Sequence, residues 1–213
     1  MPAPAIKICG ISTADALEAA IKARADYVGL NFFAPSPRYV DARQAADLGA
    51  RAAGRIGRVG VFVDAKDDVI GEAVAAAELD AIQLHGEETS ERAAQIRSQF
   101  GVPVWKALPI ASLADIARAD NFRDAVDLIL FDAKTPKGTL PGGMGLSFDW
   151  SLLAAYRGAL AWGLAGGLTP ANVAEAARLP DAQVLDTSSG VESAPGVKDV
   201  DKIAAFCKAA RLS

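Results

Sequence analysis

Short apolar runs and longer amphipathic stretches alternate along the chain. The runs are IKIC at 6–9, YVGLNF at 27–32, RVGVFV at 58–63, AIQL at 81–84, VWKAL at 104–108, LILFD at 128–132, AWGLA at 161–165 and QVLDT at 183–187, with starts 21 to 33 residues apart. Their length and β-branched content predict buried strands. Between them, segments 14–24, 67–79, 90–100, 170–179 and 197–212 are dominated by Ala, Leu, Glu and Arg, with apolar residues recurring at three and four, which predicts helices. Thr169 and Pro170 stand where an N-cap and a first helical residue belong. In the last segment Val200, Ile203, Phe206, Cys207 and Ala210 form one stripe, expected to face a sheet.

Strands that alternate with helices pair in parallel, because each crossover helix returns the chain to the same end of the sheet. Two α/β architectures satisfy this, a closed (β/α)8 TIM barrel and an open doubly wound sheet. An eightfold repeat of about 27 residues, with no insertion large enough for a second domain, favours the barrel. Residues 1–213 are therefore expected to form a single (β/α)8 domain.

Composition narrows the function. With 51% apolar and 23% charged residues the chain reads as an ordinary globular protein. The net charge is −4 and no Lys/Arg block is present, so nucleic acid is not expected as a partner. The longest uncharged run, 158–174, holds four glycines and a proline, and no membrane span is expected. Residues 1–7 lack a secretory signal's basic and apolar regions, so a cytoplasmic, reducing location is expected. Two cysteines, Cys9 and Cys207, make no disulfide framework, and with the single His85 they offer no zinc-binding spacing.

In a (β/α)8 barrel, chemistry gathers beyond the carboxyl ends of the strands. Those positions read Cys9-Gly10, Asn31, Asp64, His85-Gly86, Asp132, Gly166-Gly167 and Ser188-Ser189-Gly190. The glycine-rich turns after strands seven and eight suit backbone N–H groups converging on a phosphate, although tight turns alone would look the same. Lys7 lies two residues before Cys9 on the same face, roughly 6–7 Å away, and its ammonium is expected to lower the thiol pKa. The alternative for Cys9 is a small buried hydrophobe. Asp132 ends a strand with no polar partner of its own, so a raised pKa and a general-acid role are expected; an N-cap or a partner for Lys134 is the bland alternative. In Asn31-Phe32-Phe33-Ala34-Pro35-Ser36-Pro37-Arg38-Tyr39 two prolines stiffen an exposed loop whose Arg38 suits a carboxylate on a planar ring. His85 reads equally as a hydrogen-bonded rim residue or a catalyst.

Taken in order, Lys7-Ile8-Cys9-Gly10, Phe33-Ala34-Pro35-Ser36-Pro37-Arg38, Val59-Gly60-Val61-Phe62-Val63, Gln83-Leu84-His85-Gly86, Phe148-Asp149-Trp150, Leu164-Ala165-Gly166-Gly167-Leu168 and Ser188-Ser189-Gly190-Val191-Glu192 resemble the phosphoribosylanthranilate isomerase family of tryptophan biosynthesis. The resemblance implies a (β/α)8 barrel without cofactor or metal. It implies an Amadori rearrangement of N-(5-phosphoribosyl)anthranilate to the carboxyphenylamino-deoxyribulose phosphate. Cys9 would be the base that removes the C2 proton and Asp132 the acid that opens the furanose ring. Arg38 would hold the anthranilate carboxylate, with Lys7, His85 and Asp186 completing the substrate site. Gly166, Gly167, Ser188, Ser189 and Gly190 would bind the phosphate. The expected partner is this phosphorylated small molecule, and the expected state is monomer or homodimer.

Two positions depart from the family pattern. Gly142-Gly143-Met144-Gly145 follows a longer sixth loop that starts at Lys134, and Thr187 replaces an aliphatic residue. Other readings keep the glycine turns but fit less well. An epimerase normally brings metal ligands that one histidine cannot supply. The dual-substrate isomerase of histidine and tryptophan synthesis would use an aspartate where Cys9 stands. A phosphate-sensing barrel would lose either Cys9 or Asp132.

Overall fold

The computed structural model describes residues 3–134 and 148–212. Eight parallel strands close into a barrel in sequence order. They are β1 (Ala5–Cys9), β2 (Tyr27–Asn31), β3 (Gly57–Phe62), β4 (Ala81–Leu84), β5 (Val104–Ile110), β6 (Leu128–Ala133), β7 (Ala161–Leu164) and β8 (Ala182–Thr187). Around them run α1 (Ala14–Lys22), α2 (Ala42–Ala52), α3 (Asp67–Ala77), α4 (Ser90–Phe100), α5 (Leu113–Ala117), α6 (Val173–Ala176) and α7 (Val200–Arg211). Side-chain caps mark several helix starts. Thr13 accepts from Ala16 N at 3.3 Å, Asp41 from Gln44 N at 2.8 Å and Thr89 from Arg92 N at 3.2 Å, each pairing an orphan N–H.

The strand period of two divides the apolar residues into two cores. Ile6, Ile8, Val28, Leu30, Ile82, Ile129, Phe131 and Leu185 point outward and meet the helices through Leu17, Leu48, Ile70, Ile96, Ile203 and Phe206. Val59, Ala81, Trp105, Ala107, Leu128, Leu130 and Val184 fill the lumen, where Tyr27 and Trp105 meet edge to face at 5.2 Å. The barrel interior is thus packed below and polar only toward the carboxyl ends.

Three local expectations need correction. The helix expected over 170–179 is regular only over the four-residue α6, because i→i−3 bonds such as Asn172 N to Thr169 O at 3.2 Å and Leu179 N to Ala176 O at 3.1 Å tighten the turns on either side. Asn172 Oδ1 accepts from Thr169 N at 2.7 Å and Asn172 Nδ2 donates to Gly167 O at 3.0 Å. Thr169 caps the segment as expected, its Oγ1 accepting from Ala171 N at 3.3 Å and its carbonyl from Val173 N at 3.0 Å, while Asn172 precedes the regular α turn. The last helix starts at Val200 rather than 197, since Val197–Lys198 pairs as β10 with β9 (Glu192–Ala194), and Asp199 then caps α7. Val200 consequently leaves the buried stripe and is 47% exposed, while Ile203, Phe206, Cys207 and Ala210 are buried.

Candidate active site

The site is assembled at the carboxyl ends of the strands from residues that alternate inward with the outward core. Lys7 on β1 stands in register with Asp186 on β8, and its Nζ lies 3.0 Å from Asp186 Oδ1. The Lys7 side chain is fully buried. Cys9 is in register with Gly29 on β2. A Cβ at Gly29 would stand 2.8 Å from Cys9 Sγ and 3.2 Å from Lys7 Nζ, so only glycine leaves room for both groups.

Burial governs the charges here. It works against the charged form of Lys7, but Asp186 and the Cys9 sulfur outweigh it and hold the ammonium above the ordinary lysine pKa. It pushes the Cys9 thiol up, against the pull of Lys7 and Lys198. The lowered thiol pKa expected from Lys7 alone is therefore corrected: desolvation exceeds the attraction of the neighbouring cation. Burial also raises the Asp186 carboxyl more than Lys7 lowers it.

Asp132 ends β6 facing the same space and is buried. Its Oδ1 accepts from Ala133 N at 2.8 Å and its Oδ2 lies 3.1 Å from His85 Nε2, so it has the polar partner that its own strand lacks. Gln83 Nε2 stands 3.2 Å from the other ring nitrogen, His85 Nδ1. Asp186 also feels the charge of Asp132 and His85 through space. Two polar pairs thus share the mouth, Lys7–Asp186 beside Cys9 and His85–Asp132 across from them.

The two glycine turns lie side by side next to these pairs. Gly166 has φ +83° and Gly167 φ +67°, and a Cβ on Gly166 would come within 2.8 Å of Asp132 Oδ1. Ser189 and Gly190 form a short 3-10 turn after Ser188, and Thr187 Oγ1 donates to Leu168 O at 2.7 Å. The hydroxyl that departs from the family pattern therefore fastens the two turns together.

Arg38 is buried rather than displayed on an exposed loop. Its Nε donates to Glu192 Oε1 at 2.7 Å and its Nη2 to Glu192 Oε2 at 2.8 Å, a bidentate pair. Lys198 joins it, donating to Glu192 Oε1 at 2.7 Å and to Ser188 O at 3.0 Å from a side chain only 1% exposed. Burial lowers the Lys198 pKa, against the pull of Glu192. Of the aromatic loop residues, Phe32 stacks inward on Phe62 at 5.1 Å and Tyr39 is exposed.

Asn31 and Asp64 serve turns: Asn31 Oδ1 accepts from Phe33 N and Asp64 Oδ1 from Glu87 N. Gly142-Gly143-Met144-Gly145 and the sixth loop beyond Lys134 lie outside the described residues.

Three polar residues of the site were not singled out from the sequence: Gln83, Glu192 and Lys198. Gln83 had a signal, an amide at an inward position of a strand otherwise apolar. Glu192 closed a quoted motif but its partner Arg38 is distant in sequence, and Lys198 had no signal, because its place is set by the β9–β10 pairing. Among the described residues, no group of three or more His, Cys, Asp or Glu side chains is arranged to hold a metal ion, and no helix is long and apolar enough to cross a membrane.

Comparison with known proteins places this geometry. The family model for N-(5'-phosphoribosyl)anthranilate (PRA) isomerase matches residues 6–209. The N-(5'-phosphoribosyl)anthranilate isomerase of Paramagnetospirillum magneticum is 53% identical over 207 residues, 97% of this chain and 96% of that protein. The crystal structure of phosphoribosyl anthranilate isomerase from Thermotoga maritima superposes with a TM-score of 0.89 at 36% identity, covering 99% of this chain and 100% of that one. A crystal structure of such an isomerase in complex with reduced 1-(o-carboxyphenylamino)-1-deoxyribulose 5-phosphate gives 0.86 at 34% identity, with the same coverage.

Proposed function

The chain belongs to the N-(5'-phosphoribosyl)anthranilate isomerase family, and from that premise we propose that Cys9 and Asp132 are the base and acid of its reaction. The protein catalyses the Amadori rearrangement of N-(5-phosphoribosyl)anthranilate to 1-(2-carboxyphenylamino)-1-deoxyribulose 5-phosphate in tryptophan biosynthesis. Asp132 gives a proton to the furanose ring oxygen, the C1–O bond breaks, and the nitrogen lone pair forms the C1=N iminium. Cys9, as thiolate, takes the C2 proton, and those electrons form the C1=C2 enolamine. Protonation at C1 and loss of the C2 hydroxyl proton then yield the ketone.

Each remaining group has a matching task. Arg38, its plane fixed by Glu192, receives the ortho-carboxylate, and Lys7, His85 and Asp186 line the sugar site. The turns at Gly166, Gly167, Ser188, Ser189 and Gly190 take the phosphate through backbone N–H groups. No metal or cofactor has a step in this scheme. The proposal treats residues 1–213 as one catalytic domain, a monomer or homodimer working in the cytoplasm.

The observation that supports this reading is a buried thiol and a buried carboxylate at one barrel mouth, Cys9 beside the Lys7–Asp186 pair and Asp132 on His85, next to paired glycine turns. The test is loss of anthraniloyl fluorescence with substrate made in situ. Asp132→Asn keeps the shape but delivers no proton, so kcat should fall by about 10² or more while substrate binding is kept. Near-normal turnover in a folded variant removes Asp132 from the mechanism. Because burial holds the Cys9 thiol protonated, kcat/KM should climb as pH rises above neutral.

A further inference from the structure

Among the described residues, Gln83 Oε1 is one of two buried side-chain polar atoms without a hydrogen-bond partner. Gln83 is fully buried in the lumen, and its register neighbours on β3 and β5 are Val61 and Trp105. A position chosen for packing alone would carry an apolar side chain there, because half an unpaired amide is costly to bury and an apolar group of the same shape is not. The amide has one partner, and that partner leads to the acid. Gln83 Nε2 faces His85 Nδ1 at 3.2 Å, and His85 Nε2 faces Asp132 Oδ2 at 3.1 Å.

An N–H aimed at Nδ1 requires a lone pair on that nitrogen. The imidazole proton then sits on Nε2, where it donates to Asp132. Resting on the reading of Asp132 as the acid, we infer that Gln83 is a positioning residue that keeps the His85 proton on Nε2. There it holds the Asp132 carboxyl in one orientation and, with the Ala133 N–H on Oδ1, receives the charge left once the proton has gone to the ring oxygen. With the proton on Nδ1, a bare Nε2 would instead face the new carboxylate, lone pair against lone pair. Among the described residues, Asp132 pairs with His85 and Asp186 acts on it through space.

His85 is the only histidine, so ring 15N spectra of tag-free, histidine-labelled protein read this single side chain. The wild type should show a protonated Nε2 and a bare Nδ1. Gln83→Glu replaces the donor by an acceptor and should place a proton on Nδ1, lowering kcat roughly tenfold or more with KM changed less than about twofold. Gln83→Met keeps the volume without the hydrogen bond; it should broaden or mix the tautomer signals and lower kcat by a smaller factor. A wild-type spectrum with Nδ1 protonated overturns the inference, as do Gln83→Met signals and kcat that match wild type. If Gln83→Glu does not fold, those two measurements still decide. Full turnover by Asp132→Asn beside the expected wild-type spectrum would mean that the acid reading has failed and not the tautomer assignment. A dead Asp132→Asn beside unchanged His85 signals in both Gln83 variants would mean the reverse.

Discussion

At the amino-terminal end of the barrel, Ala5, Ala81 and Val184 face the lumen beside the Tyr27–Trp105 ring pair. Two residues further along the same strands the inward positions hold Lys7, Gln83 and Asp186, all buried. The backbone and the alternation are the same in both layers, and only the side chains change. The lower layer removes apolar surface from water and stabilises the fold. The upper layer places a lysine, a thiol and carboxylates under the same burial, which disfavours their charged forms and makes each depend on its neighbour. Stability and chemistry therefore occupy successive layers of one set of strands.

The sharpest way to break this division is from below. Leu128→Ala should cost about 2–5 kcal/mol in denaturant unfolding, through lost burial and the cavity left behind. The surviving folded protein should keep its kcat; a large loss of kcat per folded molecule would mean that the layers are coupled.

Next comes the buried pair in the upper layer. Lys7→Met leaves Asp186 without its partner, and because burial already raises that carboxyl it should take up a proton rather than remain charged. The expected cost is about 1–3 kcal/mol. Adding Asp186→Leu should recover most of that stability without recovering activity, as replacement of a buried ion pair by apolar groups often does. Failure to recover stability would show that the pair itself holds the barrel mouth together.

The two cysteines sharpen the comparison by pH. The Cys207 thiol, on the buried face of α7, is pushed by burial to about 11. A folded pKa above the unfolded one gives stability that is complete below the unfolded value near 9 and is lost as pH rises through 11. Denaturation at increasing alkaline pH should show this loss, and Cys207→Ala should remove it. Cys9 is raised as well but lies at the mouth, so alkylation should reach it first as pH rises, abolish activity and be blocked by a phosphorylated product analogue. Activity that survives full labelling of Cys9 rules it out as the base.

The smallest effect is expected at Thr187. Thr187→Val removes the hydroxyl bond to Leu168 O that fastens the two turns, at about 1 kcal/mol of stability. KM should rise a few-fold with kcat held, and an unchanged KM would detach the turns from substrate binding.

Much of this was readable along the chain. AIQL at 81–84 became β4 with the same bounds, since so short an apolar run suits a buried strand and is too short for a buried helix. The positions of Cys9 and Asp132 were legible because the eightfold period locates the strand ends, whereas the reaction was legible only through the resemblance of the motifs to a known family. Segment 170–179 misled because i→i−3 bonds tighten the turns on both sides of α6, a local choice that helix propensity does not register.

By itself, the sequence determined the alternation of strands and helices, the shared face of Lys7 and Cys9, and the family. Those are local properties, set by the period of apolar positions and by motifs within a few residues. Only the tertiary structure decided that Arg38 pairs with Glu192, that Thr187 reaches Leu168, that His85 links Gln83 to Asp132, and that Cys9 is pushed up rather than down. Burial and charge act through space among strands far apart in the chain, so their balance exists only once the barrel has closed.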